Sequence, residues 1–388
     1  MALRYLIGDM RTGRRLLDLP VTSGPWERNR NAAGTINPTV NLADPAVRAL
    51  DLQNVTAPGK TFCAVLDGDT FLEAGPIWRR RVDTTARTLT FAAAGMWTYF
   101  DHRVLLPLAA RATAFYIQDP APEAKRGDTI PNPALDTNLV GLSLGTIAKR
   151  WVQQSQQWTG GNVPIVFQPD EAGVHERNVP AVELKVIGAM LQDLTEVENG
   201  PDIEFRPQWT NDHLGVQWLL RHGTNAQPRL RSSSVHLWDF SVTNPSAKGL
   251  VIDEDATAMV DTVWTTGGRS ANTALINYAH SDALAAAGYP MLEDVDSSHS
   301  TVSRMSTLTG YGRERLRVDS RPRQFFTFDT ATDRSPFLND LNVGDLADIK
   351  IGRHDWLPRG RYRTEIATIG GDHVGRFVRV TTGEVLDG

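Results

Sequence analysis

The chain has 388 residues, of which 41% are apolar and 22% charged, and a formal net charge of −5. This length exceeds one ordinary core and predicts two to four domains of a folded globular protein. The mild acidity argues against a nucleic-acid binder held by a basic surface, because neutralising phosphates needs clustered cations.

Arginine and cysteine usage add two restrictions. Lysine occupies only six of the 40 basic positions, a bias that a GC-rich genome explains; the arginines suit carboxylate contacts at subunit interfaces. Cys63 is the only cysteine, which excludes an intramolecular disulfide or a CxxC redox pair. The apolar run 3–7 is too short for a signal peptide, so we expect synthesis in a reducing cytoplasm without use of the secretory route.

Residues 1–108 are predicted to be β-rich. The clearest sign is a meander whose strands cover 61–66, 70–74, 77–82 and 88–92. In the last of these, Leu89 and Phe91 alternate with threonines, which is typical of a sheet with one buried face. A short helix over 96–102 is expected to follow.

Residues 109–230 are predicted to be α+β. Apolar residues at helical spacing indicate helices over 139–156 and 182–194, and the second includes a stripe of leucine and isoleucine from Leu184 to Leu194. Strands are expected over 203–207 and 216–220.

Residues 231–388 return to β-structure. Strands are predicted over 235–242, 262–266, 324–328, 346–351, 362–369 and 376–381. A helical stretch over 283–316 is expected to break at Gly310 and Gly312. The meander near 366–380 has the same form as that near 77–91, with an aspartate in the turn of each, so an internal duplication is a hypothesis.

Candidate catalytic motifs are weak. Gly141-Leu142-Ser143-Leu144-Gly145 matches the letters of a nucleophile elbow, but the predicted helix over 139–156 leaves no strand before the serine, which favours an N-cap role for Ser143. Cys63 is expected to be buried and inert. The acidic run Asp253–Asp255 is interpreted as a loop or helix start, since its spacing is not that of a calcium loop.

The remaining motifs give no site either. Gly267-Gly268 and Gly370-Gly371 lack a phosphate-binding pattern and are interpreted as turns. The nine histidines have no metal-ligand spacing; they are His102, His175, His213, His222, His236, His280, His299, His354 and His373. The ten tryptophans are dispersed, which favours cores or interfaces over a carbohydrate platform. We therefore predict no catalytic residue, no metal and no cofactor.

The order of several short segments resembles a known family. These are residues 69–91, 194–209, 264–268, 288–293, LNVGD at 341–345 and 356–362. Together they resemble the minor tail proteins of actinobacterial siphophages, within the wider baseplate-hub or tail-associated (tail-tip hub) family.

The resemblance implies a β-rich α+β chain with two small antiparallel β-barrel domains. They would cover 1–108 and 231–388, flank an α+β domain at 109–230, and carry a helical insertion in the second at about 267–320. It further implies a non-enzymatic homotrimer at the virion tail tip, forming a pseudo-hexameric ring. Its partners would be the distal tail protein, the tape measure protein and tail fibre or spike proteins, with viral DNA passing through the lumen without specific binding. Alternatives are a cell-wall hydrolase or glycan-binding tail protein, and an inert bacterial scaffold unrelated to phage.

Overall fold

A computed structural model describes residues 3–121, 125–270, 273–297, 299 and 302–384. The first block is mainly β-structure. Its strands are β1 (Arg4–Asp9), β2 (Arg15–Asp18), β3 (Trp26–Asn29), β4 (Thr35–Ile36), β5 (Thr39–Asn41), β6 (Thr61–Asp67), β7 (Thr70–Asp83) and β8 (Thr88–Ala94). Its helices are α1 (Pro45–Arg48), α2 (Leu52–Val55) and α3 (Trp97–Phe100), the last of which confirms the short helix predicted there.

The middle block mixes helices with small sheets. Its strands are β9 (Tyr116–Gln118), β10 (Thr129–Pro131), β11 (Thr137–Leu142), β12 (Ile165–Phe167), β13 (Ala172–Val179), β14 (Ile203–Trp209) and β15 (Val216–His222). Its helices are α4 (Leu144–Gln156) and α5 (Ile187–Thr195). Short 3₁₀ helices cover Leu108–Arg111, Pro133–Leu135 and Ala181–Glu183.

The last block is again β-rich. Its strands are β16 (Val235–Asp239), β17 (Ala247–Asp255), β18 (Thr262–Ser270), β19 (Thr273–His280), β20 (Glu293–Asp296), β21 (Arg323–Ala331), β22 (Leu346–Ile351), β23 (Gly360–Gly371) and β24 (Phe377–Thr382). Its helices are α6 (Ala283–Ala286), α7 (Met305–Asp319) and a 3₁₀ turn, Leu338–Asp340. The β-rich α+β class predicted from the sequence is confirmed.

The two β-rich blocks share one hydrogen-bonded sheet, which the sequence did not predict. Fourteen of the described strands belong to it, and the blocks meet where β23 pairs antiparallel with β3. Gly370 lies in this seam, and a Cβ there would come within 2.8 Å of the Trp26 carbonyl oxygen. Gly370 and Gly371 are therefore strand residues, and their interpretation as a turn is wrong. The strand pairs found among the described residues form open paths, so closed barrels stay a prediction.

Each β-rich block contains a meander with the same unusual middle strand. In the first block, β7 pairs with β6 up to Pro76 and with β8 from Ile77 onward. In the last block, β23 pairs with β22 up to Glu365 and with β24 from Ile366 onward. In both cases one long strand changes partner near its midpoint, so that its first half pairs antiparallel with one neighbour and its second half with another. This shared pairing supports the hypothesis of an internal duplication.

Two hydrophobic cores lie on opposite faces of β6. Cys63 and Val65 belong to a core shared by both β-rich blocks, which also contains Trp238 of β16. Phe62 points to the other face, into a core formed with the middle block and including Trp218 of β15. Because β6 is buried on both faces, its sequence is nearly continuously apolar.

An insertion between β17 and β21 forms a small sheet covered by one helix. Its strands pair in the order β19-β18-β20, and α7 packs on the inner face. Gly310 and Gly312 lie inside α7, so the predicted break is wrong. A Cβ on Gly312 would lie 2.9 Å from the side-chain Nδ2 of Asn277 and 3.1 Å from Ala279 Cβ. The absence of a side chain at Gly312 therefore allows the helix to lie close to the sheet. Gly267, predicted in a turn, lies in β18 and has Leu308 against it.

Both predicted helices of the middle block begin later than expected. Residues 139–142 lie in β11, because this segment pairs with β13 rather than continuing α4. Leu184 is exposed and has a left-handed backbone with φ of 48°, so it lies outside α5. The rest of the predicted stripe, at Ile187, Leu191 and Leu194, is buried as expected. No helix among the described residues has both the length and the apolar character needed to cross a membrane.

Candidate functional site

Ser143 lies at a strand-to-helix junction, contrary to the expectation that no strand precedes it. The strand β11 ends at Leu142 and α4 begins at Leu144. The serine is buried, and its Oγ accepts a hydrogen bond from the Thr146 amide at 3.1 Å. Within the described ranges no hydrogen bond connects Ser143 to a histidine. Its hydroxyl caps α4, which confirms the N-cap interpretation.

The other candidates from the sequence do not form a reactive site. Cys63 is buried in β6, and burial raises the pKa of its thiol, so it stays protonated. The acidic run Asp253–Asp255 is the end of β17, paired with residues 323–325 of β21; its interpretation as a loop or helix start is wrong. In the part of the chain that the structure describes, no group of three or more His, Cys, Asp or Glu side chains could hold a metal ion.

A buried carboxylate connects all three blocks, and we call its surroundings the Asp202 junction. Asp202 precedes β14, where Gly200 and Pro201 end the turn after α5. One of its oxygens, Oδ1, accepts hydrogen bonds from Arg30 Nε at 3.1 Å and Nη2 at 2.9 Å, and from Asn31 Nδ2 at 3.0 Å. The other, Oδ2, accepts one from the Leu230 amide at 2.8 Å.

The junction extends from Asp202 to the last block through Arg30. The guanidinium of Arg30 also forms an ion pair with Glu365 of β23, and Glu365 in turn pairs with Arg231. Arg229 Nη1 lies 3.4 Å from Asp202 Oδ1. One arginine therefore contacts a carboxylate of the middle block and a carboxylate of the last block at the same time.

The electrostatics of the junction favour the ionised carboxylate. Burial opposes ionisation of Asp202, but the charge and hydrogen bonds of Arg30 outweigh it and hold the pKa below its usual range. The pKa of Arg30 is raised, because the charges of Asp202 and Glu365 outweigh its own burial. Both partners stay charged at neutral pH, and the arrangement can fix the relative orientation of the blocks but offers no nucleophile.

Beside the junction is a cleft of about 930 Å³ between the β-rich blocks and the insertion. Its walls are charged: Arg30 and Glu365 lie on one side, and Glu314 and Arg317 of α7 on the other. Arg229 Nη2 lies 3.9 Å from Glu314 Oε1 and connects the two walls. The insertion therefore faces the β-rich blocks across a cleft with charged walls.

A smaller pocket of about 190 Å³ separates the insertion from the middle block. His299 stacks on Tyr311, with ring centroids 3.5 Å apart, and its Nε2 lies 2.6 Å from Asp296 Oδ2. Arg304 Nε lies 2.5 Å from Glu176 Oε1 across the boundary. The Arg304–Glu176 pair is a docking contact of the insertion, whereas the contacts of His299 with Tyr311 and Asp296 lie within the insertion.

Sequence reasoning did not find this junction. The turn containing Asp202 was one of the segments that carried the family resemblance, but its partners Arg30 and Glu365 lie more than 160 residues away on either side. No local spacing connects these three residues. The strand pairing between blocks would have been needed to bring them together.

The arrangement of sheets, insertion and middle block is similar to that of two solved tail proteins. No protein-family model and no curated protein matches the chain. A tail protein from Neisseria meningitidis MC58 has a TM-score of 0.54 and 10% identity, covering 99% of this chain and 96% of that protein. A 43 kDa tail protein of prophage MuSo2 from Shewanella oneidensis has a TM-score of 0.56 and 11% identity, covering 98% of each chain. At these sequence identities the similarity shows a shared fold and does not extend to function.

Proposed function

We propose that this chain is a structural, non-enzymatic tail protein that forms a homotrimeric hub at the tail tip. The observation that carries the proposal is the repeated meander, in which β7 and β23 change partner in the same way. A chain with two equivalent β-modules, at 1–108 and 231–388, presents six modules when three copies form a ring. Such a ring has the symmetry needed to continue a sixfold tube.

The contacts between modules suit this role. The backbone pairing of β3 with β23 and the Asp202 junction both hold the two modules in one orientation. A ring closes only if that orientation is the same in every copy. A flexible linker between modules would not satisfy this requirement.

The proposed partners follow from the position at the tail tip. One face of the ring would contact the distal tail protein and the tape measure protein, and the other would contact fibre or spike proteins. Viral DNA would pass through the lumen without specific binding, which the net charge of −5 suits, since like charges prevent adhesion.

The test is the mass and shape of the purified full-length chain. Light scattering coupled to size exclusion is expected to give three times the 42.8 kDa chain mass, and negative-stain images should show rings with a central opening. A monomer at all concentrations, or turnover of host cell-wall material by the purified chain, would contradict the proposal.

A further inference from the structure

The outer face of the inserted sheet is apolar, although it faces solvent. Trp264 of β18 pairs across the sheet with Tyr278 of β19 and Val295 of β20, and Ile276 lies two residues from Tyr278 on the same face. Tyr278, Val295 and Ile276 are each more than half exposed, and Trp264 is 37% exposed. A solvent-facing side of a sheet is normally polar, so these four residues, the insertion patch, indicate a contact surface.

The geometry of the rings favours a protein partner over a glycan. A sugar chain stacks best on coplanar rings, but the Trp264 and Tyr278 rings are inclined by 50° with centroids 4.8 Å apart. The aliphatic side chains of Ile276 and Val295 complete the patch, and they suit apolar side chains of a protein.

Acidic side chains border the insertion patch. Glu293 Oε1 accepts a hydrogen bond from the Trp264 indole nitrogen at 3.0 Å, which orients the ring. Asp282, whose Oδ1 lies 3.0 Å from His280 Nε2, has a side chain that is almost fully exposed. The partner should therefore carry an apolar residue flanked by cations.

A second surface of this same chain has that chemistry, and we call it the basic loop, residues 352–359. Trp356 is 70% exposed, and the loop holds it in place because His354 Nδ1 accepts hydrogen bonds from the amides of Trp356 and Leu357, at 3.2 and 3.3 Å. The loop contains Arg353 and Arg359 as well as one acidic residue, Asp355, so its net charge is positive, and neither arginine forms an ion pair within the described part of the chain. An exposed, preorganised tryptophan beside arginines is typical of an interface hot spot.

We propose that the insertion patch of one copy binds the basic loop of the next copy. The two surfaces are different and complementary in charge, and contacts between unlike surfaces are those that close a ring. Both tryptophans are exposed within one chain, and the proposed contact would cover one of them from each of the two copies. This inference rests on the proposed ring and names the surfaces that form it.

The test compares self-association of the full-length chain and its variants by sedimentation. Trp264→Ala and Trp356→Ala are each expected to raise the dissociation constant at least about 30-fold, the effect of removing an interface tryptophan. Tyr116→Ala removes an exposed aromatic residue outside both surfaces and is expected to leave association unchanged. Circular dichroism of each variant checks that the monomer is folded.

Charge reversal tests the pairing of the two surfaces. Reversing the patch (Asp282→Lys with Glu293→Lys) or the loop (Arg353→Glu with Arg359→Glu) should each weaken association, and combining all four should restore it. If rings form but none of these variants affects them, the inference is wrong and the proposed function stands. If wild-type chains never associate, both are wrong. Loss of incorporation into virions with intact self-association would assign the patch to another tail protein and overturn the inference.

Discussion

Replacing Asp202 by asparagine is expected to destabilise the chain more than any exposed Asp→Asn change. The side chain of Asp202 is 3% exposed and accepts hydrogen bonds from Arg30, Asn31 and the Leu230 amide. Asparagine keeps one acceptor oxygen, which can serve Leu230, but turns an amide NH₂ toward the donors of Arg30 and Asn31. Removing one partner of a buried ion pair costs about 3–5 kcal/mol, and we expect a loss in that range.

Urea denaturation followed by tryptophan fluorescence measures this loss as a change in the free energy of unfolding. Asp69→Asn is the matched control, because Asp69 is exposed and lies 3.8 Å from Arg4. An exposed pair contributes less than about 1 kcal/mol, so this control should behave almost as the wild type does. Equal unfolding free energies for the two variants would refute the argument that the Asp202 junction connects the blocks.

The stabilising effect of Asp202 should also depend on pH in a defined direction. Because the folded-state pKa of Asp202 is lowered, its contribution is present above the unfolded value of about 3.9 and is lost as pH falls through the folded value. The difference between wild type and Asp202→Asn should therefore be constant near neutral pH and shrink in acid. A difference that grows as the pH is lowered would contradict the charged state assigned to Asp202.

Three further changes test individual packing features. Gly312→Ala should lower the free energy of unfolding by about 1–3 kcal/mol, because the added methyl group would collide with the inserted sheet. Gly310→Ala is the control: its Cβ would meet one atom at 3.9 Å, so this change should raise the free energy of unfolding by about 0.5–1 kcal/mol. Equal effects of the two changes in calorimetry would refute the packing of α7. Burial raises the pKa of Glu73 to about 8, so the free energy of unfolding of the wild type should fall as pH rises from about 4.3 towards that value. In urea titrations at pH 5 and pH 9, Glu73→Gln should show a smaller difference between the two pH values than the wild type does. Equal differences for the two proteins would contradict this prediction. Ser143→Ala should cost about 1 kcal/mol as the loss of a helix cap; a much larger loss in thermal unfolding would mean that Ser143 does more than cap α4.

The sequence predicted best the elements whose burial alternates along the chain. The strands predicted from residues 88, 203 and 216 are β8, β14 and β15, and all three alternate between buried and more exposed residues. Prediction failed where a distant partner decides the conformation. Residues 139–142 have helical spacing but pair with β13, and Asp253–Asp255 are polar enough for a loop but pair with β21. Secondary-structure propensity depends on neighbouring residues in the sequence, whereas these strand pairings depend on distant ones.

The same reasoning applies to the glycines and to the junction. Glycine in a helix is usually a weak point, yet Gly312 is where α7 touches the inserted sheet, and only the sheet explains it. The Asp202 junction had no signature at all, because Arg30, Asp202 and Glu365 are far apart in the sequence and become neighbours only in the folded chain. The exposed Trp264 and Trp356 could not be separated from the buried tryptophans by sequence, since each sits among ordinary strand or loop residues.

The two β-modules form a rigid unit, whereas the insertion is held less tightly, because different interactions connect each of them to the rest of the chain. The β-modules are joined by backbone hydrogen bonds between β3 and β23 and share one hydrophobic core, so they cannot shift without breaking a sheet. The insertion is connected through β17 and β21, and it meets the rest through ion pairs such as Arg304–Glu176 and Arg229–Glu314 and through Tyr311, which packs into the core of the middle block. A boundary with few apolar contacts permits relative motion more readily than a shared sheet does. Hydrogen exchange should therefore be slow in β6 and β23 and faster in β18–β20, and uniform protection of both would contradict this division.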